Sequence, residues 1–285
     1  MVRKGNLLYN GDFETGTTEG WICGPFGLGC LAPLSVTSDD VYRGNYAGRI
    51  SASEANAFSY VAYDVTCSFE EYEAYLYIFY GKLGLGACSM GVLYGLDDNG
   101  NLIKTFALGY NKEKDVWIKY AALLRGFDDI THFQIGVLAL GDSMGVGFLF
   151  DEAKLIPLKS IKSHTLADYK AFADVSSNMT WYSGLACIGN CRLRSIVRTS
   201  DVSGTDPSLT VKLYISLLDN VNTRYVLQHS TITGEETDEQ IIDLPEVALI
   251  EVEYIIEGTS PSFDIFHHLR IEPDKSVETA GGGAY

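Results

Sequence analysis

The sequence lacks an excess of basic charge, long apolar runs and the spacing of amphipathic helices, and each absence removes a class of function. Lysine and arginine number 21 against 37 aspartates and glutamates, a formal net charge of -16. That balance disfavours nucleic-acid backbones and anionic lipid surfaces as partners. No stretch approaches the roughly 18 apolar residues that span a bilayer, so no membrane insertion is expected. The start Met1-Val2-Arg3-Lys4 leads into Gly5-Asn6-Leu7-Leu8 without the apolar centre of a signal peptide. Catalytic signatures are also missing. The five histidines, His132, His164, His229, His267 and His268, form no His-Glu-x-x-His or other compact ligand spacing, and no Gly-x-Ser-x-Gly elbow occurs. On a strand, His267 and His268 would point to opposite faces. The acid pairs Asp39-Asp40, Asp97-Asp98 and Asp128-Asp129 are neighbours in sequence, which suits solvated turns rather than two carboxylates facing each other across a cleft. No catalytic residue is assigned, and the chain reads as non-enzymatic.

What is present is material for strands. The chain has 285 residues, 46% of them hydrophobic, with 29 glycines, 18 tyrosines and 13 phenylalanines. With domains of about 100 to 200 residues, two domains are expected. Apolar runs separated by turn signals predict strands at 60–65, 72–80, 87–96, 102–110, 116–124, 131–140 and 147–156, then at 191–199, 209–217, 225–231, 239–244, 248–257 and 263–271. Every residue of Tyr75-Leu76-Tyr77-Ile78-Phe79 is bulky, which predicts a strand covered on both faces. Asn99-Gly100 predicts a hairpin turn. Residues 166–174 are expected to form one or two helical turns. The fold class is all-β: two tandem antiparallel β-sandwiches of jelly-roll type, one over 1–158, a second over 159–275, and a glycine-rich tail over 276–285.

Six cysteines fall into three sequence-local pairs: Cys23 with Cys30, Cys67 with Cys88, and Cys187 with Cys191. Three disulfides, six buried thiols and a zinc site remain alternatives at this level.

The opening Asn6-Leu7-Leu8-Tyr9-Asn10-Gly11-Asp12-Phe13-Glu14-Thr15-Gly16, then Gly20-Trp21, resembles the first strand and turn of carbohydrate-binding-module-like jelly rolls, the galactose-binding-like sandwiches. Tyr42-Arg43-Gly44-Asn45-Tyr46-Ala47-Gly48-Arg49-Ile50, Trp117 and the closing Phe148-Leu149-Phe150-Asp151-Glu152-Ala153-Lys154-Leu155 extend the resemblance over residues 5–158. It implies that Trp21 and Trp117 are core residues, which leaves tyrosines such as Tyr60, Tyr63 and Tyr94 as the candidate wall of a ligand cleft. It also implies a structural calcium where the chain's beginning meets the domain's end, with Asp12, Glu14 and Asp151 as candidate ligands. The second half is similar to uncharacterised sandwich domains in surface proteins of spore-forming bacteria, through Leu209-Thr210-Val211-Lys212-Leu213-Tyr214-Ile215-Ser216 and Ser260-Pro261-Ser262-Phe263-Asp264-Ile265.

Two roles follow as expectations. The first is a non-enzymatic structural subunit of a fibre, spore surface or virion exterior, self-assembling with copies of itself or other surface subunits through open strand edges and the tail. Release by lysis would place such a protein on a surface without a signal peptide. The alternative is a non-catalytic carbohydrate-binding protein with a glycan as its partner.

Overall fold

The computed structural model describes residues 5–23, 34–52, 58–84, 88–125, 129–140, 145–161, 164–217 and 224–274. In the first half the strands are β1 (Trp21–Cys23), β2 (Leu34–Thr37), β3 (Ala47–Ala52), β4 (Phe58–Thr66), β5 (Ala74–Leu83), β6 (Cys88–Leu96), β7 (Leu102–Asn111), β8 (Trp117–Arg125), β9 (His132–Leu140) and β10 (Gly145–Leu158). The second half adds β11 (Leu166–Val175), β12 (Met179–Ser183), β13 (Leu185–Cys187), β14 (Cys191–Ser216), β15 (Arg224–Gln228), β16 (Thr237–Leu244) and β17 (Leu249–Pro273). The all-β architecture expected from the sequence is what forms. No helix of the described residues is long and apolar enough to cross a membrane.

The first half is a sandwich of two sheets. One has the order β1-β4-β9-β6-β7, and the other β13-β8-β5-β10-β3-β2. Alternation decides which side chains meet between them: Val61, Val65, Leu93, Phe106, Phe133 and Ile135 from one sheet pack on Ile50, Tyr75, Tyr77, Phe79, Tyr120 and Phe148 from the other. Phe79 stacks on Tyr120 at 4.3 Å between ring centroids. Gly81 is where this packing leaves no room, since a Cβ there would lie 2.3 Å from the Phe148 ring. The Asp97–Asn101 turn forms as expected: Gly100 takes φ +77°, and one Asp97 carboxylate oxygen accepts from the backbone N–H of Asn99 and Asn101.

The second half is built on one folded ribbon. β14 and β17 pair antiparallel from Cys191↔Pro273 to Ser216↔Leu249, with register shifts between Ser200 and Ser208. Gly204 (φ +110°) and Gly258 (φ +120°) take backbone conformations open to glycine, and the ribbon is irregular there. Beyond the irregularity one half of the ribbon carries β16 and β11, while the other carries β15 and β12. Leu193, Val197, Ile265 and Leu269 from one half share a core with Val211, Leu213, Val252 and Tyr254 from the other. The sequence reading split each of these strands in two, because Gly, Ser and Pro around 203–207 and 258–261 imitate turns. Residues 166–174 form β11, not a helix; their register with β17 runs from Leu166↔Ile271 to Val175↔Phe263.

The halves are joined more closely than a linker would join them. β13 adds to β8 in parallel, Leu185 opposite Ala121 and Cys187 opposite Leu123. Gly184 is required beside this junction, where a Cβ would lie 2.3 Å from the Lys119 carbonyl. Ala74, Ala121, Leu123 and Leu158 belong to the second core. Leu76 and Ile78 pack against it as well, so β5 is covered on both faces, as its uninterrupted bulk predicts.

The cysteine pairs fare differently. Cys67 is a buried free thiol, the buried-thiol alternative for this residue; its Sγ approaches the Ile130 carbonyl at 3.6 Å, and burial pushes it up to about 12. Cys187 and Cys191 are also free thiols. A hydrogen bond between them, together with burial, holds Cys187 well above the usual thiol range. Cys30 and the side chains of Cys23 and Cys88 lie outside the described residues, as does the 276–285 tail.

Candidate functional site

The junction proposed for calcium is a packed corner. Leu7 N–H donates to the Leu155 carbonyl at 2.9 Å, and Ala153 N–H donates to the Gly11 carbonyl at 2.8 Å. Phe13, at φ +53°, stacks on Trp21 and meets Phe150 edge-on. The carboxylates here are spent on the backbone. Asp151 is fully buried and accepts from the N–H of Arg43 (3.0 Å) and of Glu152 (2.6 Å); burial raises its carboxyl to about 6. Glu14 accepts from the N–H of Asn45 (2.7 Å) and Tyr46 (3.1 Å), while Asp12 accepts from the Glu14 N–H at 3.5 Å. Asp151 and Glu14 together pin the 42–46 loop. Among the described residues no group of three His, Cys, Asp or Glu side chains is arranged to hold a metal.

The three tyrosines of the expected cleft do not share a face. Tyr63 packs on the core with its ring edge-on to Trp21 at 5.6 Å. Tyr94 lies on the outward face of the five-stranded sheet, beside Ala62, Val92 and Leu138. Tyr60 is register partner to Leu138, on the far side of central strand β9 from β6. Between these positions runs a low floor, the register triplet Ala62–Gly136–Val92. Gly136 cannot be enlarged, because a Cβ would lie 1.8 Å from the Val61 carbonyl. The next row, Asp64–Gln134–Tyr94, supplies a carboxylate, an amide and a ring along one side. The register thus gives a shallow trough, with Ala62 and Val92 buried at its bottom and a mixed polar and aromatic edge.

Trp117 departs from the core position the resemblance implied. It is half-buried on the outward face of the first six-stranded sheet, with its Nε1–H donating to Asp40 at 3.2 Å. Tyr42, 41% exposed, stacks on Tyr80 at 3.8 Å and lies 5.7 Å from the Trp117 ring. The outcome turns on strand parity: Ile118 and Tyr120 take the core side of β8, which leaves Trp117 on the other.

The second half holds a polar chain that no motif announces. His229 Nδ1 lies 2.7 Å from Asp238 Oδ2, and His229 Nε2 lies 2.7 Å from Ser195 Oγ. Ser195 Oγ lies 2.7 Å from His267 Nε2, and His267 Nδ1 lies 2.6 Å from Tyr254 Oη. Trp181 Nε1–H donates to that phenol oxygen at 3.0 Å. Indole only donates and an ionised carboxylate only accepts, so one proton order satisfies the whole chain. Tyr254 donates to His267, His267 Nε2–H to Ser195, Ser195 to His229, and His229 Nδ1–H to Asp238, with both imidazoles neutral. Burial lowers both histidines, His267 down to about 3 with His229 and His268 adding to the effect. Burial acts upward on Asp238, but hydrogen bonds from Gln240 and His229 hold it below the usual carboxylate range. The Asp238–His229–Ser195 distances are those of a nucleophilic triad, yet Ser195 is fully buried and its oxygen is held between two imidazoles. A substrate carbonyl has no approach to it, and the chain serves packing. Sequence reading missed it because its members are 34 and 72 residues apart. The available signal was a histidine at an inward position in Phe263-x-Ile265-x-His267-x-Leu269-x-Ile271.

Comparison with known proteins bears on the first half. Residues 5–126 match the family model of a carbohydrate binding domain. The match takes in β1 through β8, within the span of the resemblance read from the sequence. No curated protein matches the chain. Among solved structures, the N-terminal CBM22-1–CBM22-2 tandem domain from Paenibacillus barcinonensis Xyn10C is similar over 95% of this chain and 99% of its own, at 14% identity and a TM-score of 0.43. A xylan-binding domain from CBM 22 is similar over 56% of this chain and 99% of its own, at 17% identity and a TM-score of 0.44. TmCBM61, solved in complex with β-1,4-galactotriose, covers 53% of this chain and 98% of its own, at 19% identity and a TM-score of 0.37. These likenesses are distant, and the strand order described above stands without them.

Proposed function

We propose that the first sandwich is a non-catalytic carbohydrate-binding domain, with the outward face of the five-stranded sheet as its sugar-binding surface. The family match over residues 5–126 carries this reading. The surface fits it: a sugar ring would lie against half-buried Tyr94, with hydroxyls toward exposed Asp64 in the same row. Tyr63 packs on the core and has no part in the surface.

The fibre or surface-layer role gains no support. Cys67, Cys187 and Cys191 are thiols rather than crosslinks, and the tail is outside the described residues.

A glycan array followed by pull-down on insoluble polysaccharides tests the reading. Binding to a defined glycan is expected, with a roughly tenfold loss in Tyr94→Ala from removal of one stacking ring, about 1.4 kcal/mol. A blank array and no retention on any polysaccharide would overturn it.

A further inference from the structure

The opposite sheet presents a second surface with the same chemistry. Trp117 (β8), Lys82 (β5), Leu149 (β10), Arg49 (β3) and Ser35 (β2) are successive register partners, so they form one row straight across the outward face of the first six-stranded sheet. Their neighbours Ile118, Leu83, Phe148 and Ile50 fill the core, which fixes the parity of the row. Four strand spacings make it roughly 19 Å long. The other end of this face, at Ala74, Ala121 and Leu158, is covered by the second half of the chain. The row is the part left open.

Its groups divide into fixed and uncommitted ones. Lys82 Nζ contacts one Asp40 oxygen at 2.6 Å, and the Trp117 indole donates to the other, so the ion pair holds the indole in place. Leu149, 7% exposed, is an apolar floor. A cavity of about 320 Å³ opens above it, lined by Thr37, Asp39, Arg49, Lys82, Asp115 and Leu149. Arg49 is the uncommitted group: its Nε is buried without a hydrogen-bond partner. A buried donor with no acceptor is costly in a folded protein, and the Arg49 side chain that carries it lines the cavity.

A ligand that completes this surface must offer acceptors to a guanidinium, donors to the Asp39 and Asp115 carboxylates, and an apolar face to Trp117. Sugar rings combine all three. The charges around the cavity balance, with Arg49, Lys82 and Lys114 against Asp39, Asp40 and Asp115, so the row selects neither acidic nor basic sugars. We propose that this row is a second binding surface for a neutral oligosaccharide, back to back with the trough. It shares its ligand class with the function proposed above but none of its residues. Two faces on one sandwich would let a single domain bridge neighbouring glycan chains, a gain in avidity without new contacts.

Trp21 and Trp181 are buried, 8% and 1% exposed, so the Trp117 indole is a selective reporter. The test is a nitrogen-15 NMR titration of the whole chain with β-1,4-linked xylo-, cello-, manno- and galacto-oligosaccharides, read at the tryptophan indoles, alongside calorimetry. The expected result is a saturable shift of the Trp117 indole that persists in Tyr94→Ala and weakens at least tenfold in Arg49→Ala, with the Trp21 and Trp181 resonances unmoved, while calorimetry shows the binding left in Tyr94→Ala weakened at least tenfold when Trp117→Phe is added. Binding that is lost in Tyr94→Ala and never moves the Trp117 indole would overturn this proposal and leave the trough intact. A Trp117 shift of unchanged affinity in Arg49→Ala would also overturn it. No binding to any of the four series would overturn this proposal, while the glycan array decides the trough separately.

Discussion

Replacing Ser195 with alanine removes one oxygen from the centre of the second core. The chain from Trp181 to Asp238 has a single direction, so the loss strands groups on both sides: His229 Nε2 keeps a lone pair with no donor, and His267 Nε2–H keeps a proton with no acceptor. Neither can turn elsewhere, because His229 Nδ1 is held by Asp238 and His267 Nδ1 by Tyr254. Each buried unsatisfied group costs about 1–3 kcal/mol, so with two of them Ser195→Ala should lose on the order of 2–6 kcal/mol. Against a total of roughly 5–15 kcal/mol for a folded domain, that is a large share. Urea unfolding followed by circular dichroism and tryptophan fluorescence measures it, since Trp181 belongs to the same chain. Exposed Ser230→Ala is the control and should stay within about 0.5 kcal/mol. A Ser195→Ala loss below about 0.5 kcal/mol would refute the argument that the hydroxyl is a required relay between two neutral imidazoles.

Other outcomes follow from the same structure. His267 is lowered to about 3 in the folded chain against 6.5 when unfolded, so its contribution is complete above about pH 6.5 and is lost as pH falls toward 3, at about 1.4 kcal/mol per unit. Asp151, raised to about 6 from 3.8, acts in the opposite sense, its cost being relieved as pH falls below 6. The difference in unfolding free energy between wild type and His267→Gln therefore isolates the histidine, and it should shrink steadily between pH 6.5 and 4; a constant difference would contradict the buried neutral imidazole. Gly136→Ala should destabilise by about 3 kcal/mol or more and abolish binding at the trough, because the new methyl meets the Val61 carbonyl rather than a movable side chain; thermal melts near wild type would count against the register there. Calcium or EDTA should leave the melting temperature of the whole chain unchanged, since the corner carboxylates are satisfied by backbone N–H groups; a rise of several degrees with calcium would restore the metal.

Much of the fold can be read from the chain because alternation and bulk survive in sequence. Tyr75-Leu76-Tyr77-Ile78-Phe79 signals burial on both faces, and the second covering layer turns out to be the chain's other half. Strand continuity is less legible: Gly204 and Gly258 look like turns, but they sit in the irregular middle of the long β14–β17 ribbon. The surfaces are harder still. Trp117, Lys82, Leu149 and Arg49 become one row only through three inter-strand registers, and no local pattern encodes register. The same holds for Asp238, His229, Ser195 and His267, whose partnership exists only once the ribbon has folded.

The central claim, that the first sandwich binds carbohydrate through its five-stranded sheet, is tested most directly by calorimetry of wild type and Tyr94→Ala against the best glycan from the array. The account predicts saturable binding by the wild type and about tenfold weaker binding at that surface in the variant, with both proteins equally folded. Equal affinity in the two, or no binding by the wild type, would contradict it.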